Sequence, residues 1–183
     1  MIDELKNIEY VLFDLDGTVS DSSEGITKSA DKALKSEGID VPFETLTSFI
    51  GPALRVSFGR YTDDVEKRDR MLDVYRERYS EKGWCENKIY PGMAELLRDL
   101  QKSGKHVVLA SAKPEYFCRK IIKYFGVEQY FDFIGGSDME GKRDDKTVLL
   151  TYVLDNIGNP RSDKIVMIGD RKFDKTEDRK SVV

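Results

Sequence analysis

The stretch Ile8-Glu9-Tyr10-Val11-Leu12-Phe13, running straight into Asp14-Leu15-Asp16-Gly17-Thr18, decides how this chain reads. Its apolar part is short and shows little alternation, the pattern of a strand covered on both faces of a parallel sheet. Two further runs share that character, His106-Val107-Val108-Leu109-Ala110 and Lys164-Ile165-Val166-Met167-Ile168. A weaker candidate strand is Phe131-Asp132-Phe133-Ile134, ended by Gly135-Gly136. Helical patterns lie between them. Met93, Leu96, Leu97 and Leu100 recur at helical spacing, with Pro91 ahead and Gly104 behind as start and stop signals. Pro114 opens a second helix through Ile121, Ile122 and Phe125, closed by Gly126, and residues 145–156 carry Val148, Leu149, Tyr152 and Val153. Strand and helix in this rhythm predict an α/β fold with right-handed crossovers.

The segment from about Ser22 to Asn87 breaks the rhythm. It shows helical faces (Ile26, Ala30, Ala33 and Leu34, then Met71, Leu72, Tyr75 and Tyr79) and no convincing strand. That is too long for one crossover. The expected organisation is therefore a core domain from 1–20 and 88–183, interrupted by a helical domain at 21–87. The 183 residues allow one sizeable core plus such a module.

Composition narrows the class. With 39% hydrophobic and 35% charged residues, the chain reads as soluble and globular. A net charge of −4 spread along the chain gives no footprint for nucleic acid or an anionic membrane. No apolar run approaches the roughly 20 residues that span a bilayer. Charges without a following apolar region near Met1 argue against a secretory signal, so a cytoplasmic protein is expected. Cys85 and Cys118 match no metal or redox spacing and read as idle thiols in a reducing compartment. His106 is the only histidine, which excludes histidine-cluster metal sites and argues against a Ser-His-Asp triad.

Each strong apolar run ends in a polar cluster: Asp14-Leu15-Asp16-Gly17-Thr18, Ser111-Ala112-Lys113, and Gly169-Asp170 with Asp174 four residues on. Ligands of open parallel sheets bind at the carboxyl ends of the strands, so the three clusters should converge. Asp14 and Asp16 would share a side if the backbone stayed extended, and Asp170 and Asp174 would share a face of a helical turn. Clustered carboxylates repel and raise one another's pKa, and a divalent cation is the natural compensation. Hard oxygen ligands favour Mg²⁺ over zinc, and carboxylate-held Mg²⁺ commonly partners phosphate. Taken singly, each element has a plainer reading. Asp-x-Asp-Gly suits a strand-ending turn, Ser111 or Asp170 a cap, and Lys146 a solvated surface. Their joint occurrence in order argues for a site.

Phe13-Asp14-Leu15-Asp16-Gly17-Thr18 resembles the first motif of the haloacid dehalogenase-like hydrolase superfamily. Ser111 sits where the second motif places Ser or Thr, and Lys146 of Asp145-Lys146-Thr147 matches the third-motif lysine. Gly169-Asp170-Arg171-Lys172-Phe173-Asp174 matches the acidic fourth motif. The inserted segment, with Ile50-Gly51-Pro52 followed by Leu54 and Phe58, is similar to the cap of the phosphoglycolate phosphatase-like branch. The resemblance covers nearly the whole chain to Asp174.

It implies a Rossmann-like parallel-sheet core with a helical cap that closes over the site. It also implies a Mg²⁺-dependent phosphomonoester hydrolase acting through an aspartyl-phosphate on a small phosphorylated metabolite. The expected activity is phosphoglycolate phosphatase-like or 5′-nucleotidase-like, in a monomer or weak dimer. Asp14 would be the nucleophile and Asp16 the acid and base. Asp14, the Asp16 carbonyl and Asp170 would hold Mg²⁺, with Asp174 binding it or orienting its waters. Ser111 and Lys146 would grip the phosphoryl oxygens. Thr18, Lys113 and Arg55 complete the expected substrate-binding set, Arg55 for an anionic substrate group. A halide leaves without a proton, so Asp16 favours phosphate chemistry over dehalogenation. A phosphosugar mutase and a non-catalytic module remain alternatives. In this family a further helix and strand follow the fourth motif, whereas Lys175-Thr176-Glu177-Asp178-Arg179-Lys180 is almost wholly charged and Val183 is the last residue. A truncated or altered carboxyl terminus is therefore expected, with the 164–168 strand left as an exposed apolar edge and with reduced stability or activity.

Overall fold

The apolar runs become neighbouring parallel strands. The computed structural model describes residues 6–143 and 145–169. In chain order the elements are β1 (Tyr10–Phe13), β2 (Ser20–Asp21), α1 (Ser23–Ser36), α2 (Leu54–Phe58), α3 (Val65–Arg78) and β3 (Lys88–Ile89). There follow α4 (Met93–Lys102), β4 (His106–Pro114), α5 (Glu115–Tyr124), β5 (Phe133–Ser137), α6 (Lys146–Asn156) and β6 (Ile165–Ile168). The described residues divide into two compact units, one drawn from Met1–Val19 and Ile89–Val183 and the other from Ser20–Lys88.

In the first unit the strand order is β5-β4-β1-β6, parallel throughout. The crossovers through α4 and α5 carry the chain one way along the sheet, and the crossover through α6 brings it back. Right-handed connections then put α6 on the face opposite α4 and α5. The core follows the strand alternation. Leu12, Val108 and Ala110 are buried with Leu149 and Val153 of α6, rimmed by Tyr10, Phe133, Ile165 and Met167. The intervening Val11, Phe13, Val107 and Leu109 are equally buried. This double coverage is why the β1 and β4 runs lack alternation.

The weak strand candidate is displaced. Strand β5 does not end at Gly135-Gly136 but runs through both to Ser137. A Cβ on Gly135 would stand 2.5 Å from Val153 Cγ2, and one on Gly136 would stand 2.6 Å from the Glu115 backbone. These glycines are places where α6 and α5 press on the sheet, not strand breakers. Asp145 caps α6, its Oδ1 accepting from the Thr147 and Val148 amides at 2.9 and 3.1 Å. Among the described residues β6 pairs only with β1, and Ile168 is exposed.

In the second unit, α1 buries Ile26, Ala30, Ala33 and Leu34, and α3 buries Met71, Leu72 and Tyr75. A π-helical turn at Tyr79–Gly83 brings backbone against backbone: a Cβ on Gly25 would collide with the Gly83 carbonyl oxygen. Phe49, Phe58, Tyr75 and Tyr79 form successive ring contacts 4.9–6.2 Å apart. No helix of the described residues is long and apolar enough to cross a membrane.

A half-buried ion pair closes this unit. Arg78 donates to both Glu86 carboxylate oxygens, at 2.8 and 3.1 Å, and to Ser29 Oγ at 3.1 Å. Those hydrogen bonds hold the Glu86 carboxyl below the usual glutamate range, against the opposing effect of burial. A carboxyl depressed in the folded state stabilises fully above its unfolded value, and that contribution is lost as pH falls through the folded value. Arg78→Met should therefore lower the neutral-pH urea midpoint, by roughly 1–3 kcal/mol in stability. It should also flatten the acid limb of midpoint against pH below the ordinary glutamate range. An acid limb as steep as the wild type's would show that the pair does not supply it.

Candidate active site

Register brings the strand ends together. Phe13 lies opposite both Leu109 of β4 and Ile168 of β6, so Asp14 leaves the sheet between those two strands. The Asp14 amide donates to the Ile168 carbonyl at 2.9 Å, and a Cβ on Gly169 would stand 3.6 Å from Asp14 Cβ. Asp14 Oδ1 accepts from the Leu15 amide at 2.7 Å. Beyond Asp14 the backbone does not stay extended, as the shared-side expectation requires. It turns at once, with the Thr18 and Val19 amides donating to the Leu15 carbonyl at 3.3 and 3.0 Å and Gly17 at φ +79°. That left-handed φ is strained for a residue with a Cβ, which explains the glycine.

The turn delivers Asp16 to Lys113. Lys113 Nζ lies 3.0 Å from Asp16 Oδ2, and the two side chains are only 6% and 9% exposed. Asp16 Oδ1 and Thr18 Oγ1 are buried and have no hydrogen-bond partner among the described residues. Buried polar atoms in that state mark places where a ligand or water completes the bonding. Strand β4 supplies the other half. Ser111, buried, pairs in register with Gly136, and the ladder is irregular between Ser111 and Pro114. Such an irregularity re-aims the residues within it, here Lys113. Ser111 Oγ accepts from the Lys113 amide at 3.4 Å, and α5 has no side-chain cap, so Ser111 is not a helix cap.

The other expected site residues are placed as follows. Lys146 is exposed and is the first residue of α6, immediately after the capping Asp145. Arg55 belongs to the helical unit, where it is ion-paired with Asp69 at an exposed position. Asp170 and Asp174 lie outside the described residues. Among those described, no group of three or more His, Cys, Asp or Glu is suited to hold a metal. The donors at the end of β1, the Asp14 carboxylate and the backbone carbonyl of Asp16, are hard oxygens that suit Mg²⁺.

Two features went unread in the sequence. The Asp16–Lys113 pair joins residues 97 positions apart and has no spacing signal. Cys118, fully buried on α5, donates to the Lys113 carbonyl at 3.4 Å. Burial pushes its thiol well up, with Asp16 and Asp14 adding to the rise and Lys113 opposing it, so it stays a neutral support beneath the lysine.

Breaking a buried pair from one side strands a charge. Lys113→Met should cost about 3 kcal/mol of stability, and Asp16→Asn added to it should recover much of that loss, both read from urea midpoints. Equal losses in the single and double variants would deny the pair its electrostatic role.

A family model described as haloacid dehalogenase-like hydrolase matches residues 11–181. The crystal structure of a predicted phosphatase from Clostridium acetobutylicum superposes with a TM-score of 0.85 at 42% identity, over 90% of this chain and 76% of that one. A 5′-nucleotidase from Pseudomonas aeruginosa is 39% identical over 166 residues, 90% of this chain and 75% of its own. Tyrosine-protein kinase PtkA from Mycobacterium tuberculosis is 36% identical over 167 residues, 91% of this chain, and this chain spans 57% of PtkA's length. With the family model spanning the strand-end clusters and both units, this chain belongs to the haloacid dehalogenase-like hydrolases.

Proposed function

We propose that this chain is a Mg²⁺-dependent phosphatase that hydrolyses monoesters of small metabolites through an aspartyl-phosphate on Asp14. The observation that carries the reading is the position of Asp14 and of the buried Asp16–Lys113 pair at the carboxyl ends of the adjacent parallel strands β1 and β4. An Asp14 carboxylate oxygen attacks phosphorus while the bond to the leaving oxygen breaks. Asp16 gives that oxygen a proton, then takes one from the water that splits the aspartyl-phosphate and frees inorganic phosphate. With Oδ2 engaged by Lys113, the unpartnered Oδ1 is the oxygen left to pass protons to and from the substrate and water. Lys113 thereby fixes the orientation of the acid.

Ser111 and Lys146 hold the phosphoryl oxygens, with Thr18 at the edge of the same turn. Asp14, the Asp16 carbonyl and Asp170, assisted by Asp174, would hold Mg²⁺, which when bound offsets the charge gathered on the phosphoryl group. Arg55, whose Asp69 contact engages one guanidinium nitrogen, takes the remote anionic group of the substrate. The 5′-nucleotidase relative supports a nucleoside monophosphate, and a small phosphorylated acid such as phosphoglycolate fits the same chemistry. The two free thiols suit a reducing cytoplasmic setting. The kinase name of the PtkA relative favours a second reading, transfer of the phosphoryl group to a tyrosine instead of water.

Phosphate release from phosphoglycolate and nucleoside monophosphates should require Mg²⁺, stop on chelation and fall about 10³-fold or more in Asp14→Asn. Equal turnover in wild type, metal-free wild type and Asp14→Asn would end the mechanism. Phosphotyrosine formation from a nucleotide donor, without phosphate release, would favour the second reading. Arg55→Ala should raise KM for the preferred anionic substrate with little change in kcat, and an unchanged KM across the panel removes Arg55 from the site.

A further inference from the structure

The described residues between β5 and α6 make polar contacts that meet on one carboxylate just past the end of β4. Asp138 folds the beginning of the loop, its Oδ1 accepting from the Glu140 and Lys142 amides at 2.9 Å each. The Arg143 guanidinium lies 4.0 Å from the centroid of the Tyr152 ring, and 3.8 Å from both Asp138 Oδ2 and Glu115 Oε2. Tyr152 Oη donates to that same Glu115 oxygen at 3.0 Å. Arg119 donates to the other one, Oε1, at 2.9 and 3.0 Å, and also to the Ile134 carbonyl of β5 at 3.0 Å. Glu115 itself lies close against β5, its backbone where a Cβ of Gly136 would be.

These contacts join two places that matter. Glu115 is the first residue of α5, two residues after Lys113, whereas Arg143 is three residues before Lys146 and Tyr152 lies on the same helix as Lys146. The first turn of α6 is exposed from Asp145 to Val148, and its first buried side chain is Leu149. Apolar packing therefore begins one turn into α6, and Tyr152 carries the helix's polar contacts to Glu115 and Arg143.

We propose that Glu115 and Arg143 are positioning residues for Lys146. Through Tyr152 they fasten α6 to the start of α5, and so fix Lys146 at the head of that helix relative to Ser111 and Lys113. The proposal deepens the phosphatase reading and rests on it. Magnitudes separate positioning from mere stabilisation. At 3.8 Å the Arg143–carboxylate contacts are too long to be hydrogen bonds and contribute little to stability, whereas a misplacement of about 1 Å at a catalytic group costs up to ~100-fold in rate.

The test is a double-mutant cycle on kcat/KM for phosphate release, joined to hydrogen exchange at the Thr147 and Val148 amides. Arg143→Ala should lower kcat/KM about tenfold in the wild-type background and less than about twofold in Lys146→Ala, with faster exchange at both amides. The same fold-loss in both backgrounds, or unchanged exchange, overturns the proposal. If Arg143→Ala does not fold, Glu115→Gln carries the same cycle. Wherever turnover cannot be read, the exchange decides. No turnover in the wild type with Mg²⁺ counts against the phosphatase reading itself, and faster exchange in Arg143→Ala would then still support the tie.

Discussion

Parallel pairing of β1 with a neighbour on each side is the constraint on which the rest depends. With Tyr10–Phe13 in register against His106–Leu109 and Ile165–Ile168, residues remote in sequence finish their strands side by side. Asp14 leaves the sheet at that line and keeps contact with it through the Ile168 carbonyl. The buried valines, leucines and phenylalanine beneath are more than filling. They fix the level at which polar side chains can emerge, because slipping the register by one residue would reverse every alternating side chain.

Electrostatics at that line is arranged economically. Asp16 and Lys113 neutralise each other in a buried setting where neither charge would persist alone. One oxygen of the carboxyl is thereby committed and the other left without a bond. The turn at Gly17 and the irregular end of β4 exist to make that meeting possible. The helical unit keeps its own polar closure in Arg78, Glu86 and Ser29.

Much of the fold was legible because coverage on both faces leaves a plain mark on a strand. The runs at β1, β4 and β6 carry it, and α4, α5 and α6 are marked by apolar spacing with Pro, Gly or a capping Asp at their ends. Strand β5 was misread at its end because a glycine's usual meaning, a break, is reversed where another backbone must come close. Within the site, Asp14 and Asp16 were visible as residues, but their relative placement was not. The turn after Asp14 replaces the extended path that their spacing invites. The partner of Asp16 was hidden for a different reason: it depends on how an irregular strand end aims a lysine, which no local pattern encodes. Glu115 and Arg143 look like ordinary surface charges in the sequence, since only the stacking on Tyr152 distinguishes them.

The central place of β1 has a consequence for how the molecule is made. Its apolar residues leave the ribosome before either partner strand, since both partners are encoded far downstream, at His106 and Ile165. The nascent chain must therefore carry an unpaired, aggregation-prone strand while the whole helical insert and several further elements are synthesised. The local helical unit is free to form early. Closure of the sheet waits until β6 has been synthesised, so the yield of folded protein in a cell should depend on chaperones that shield β1 in the interval.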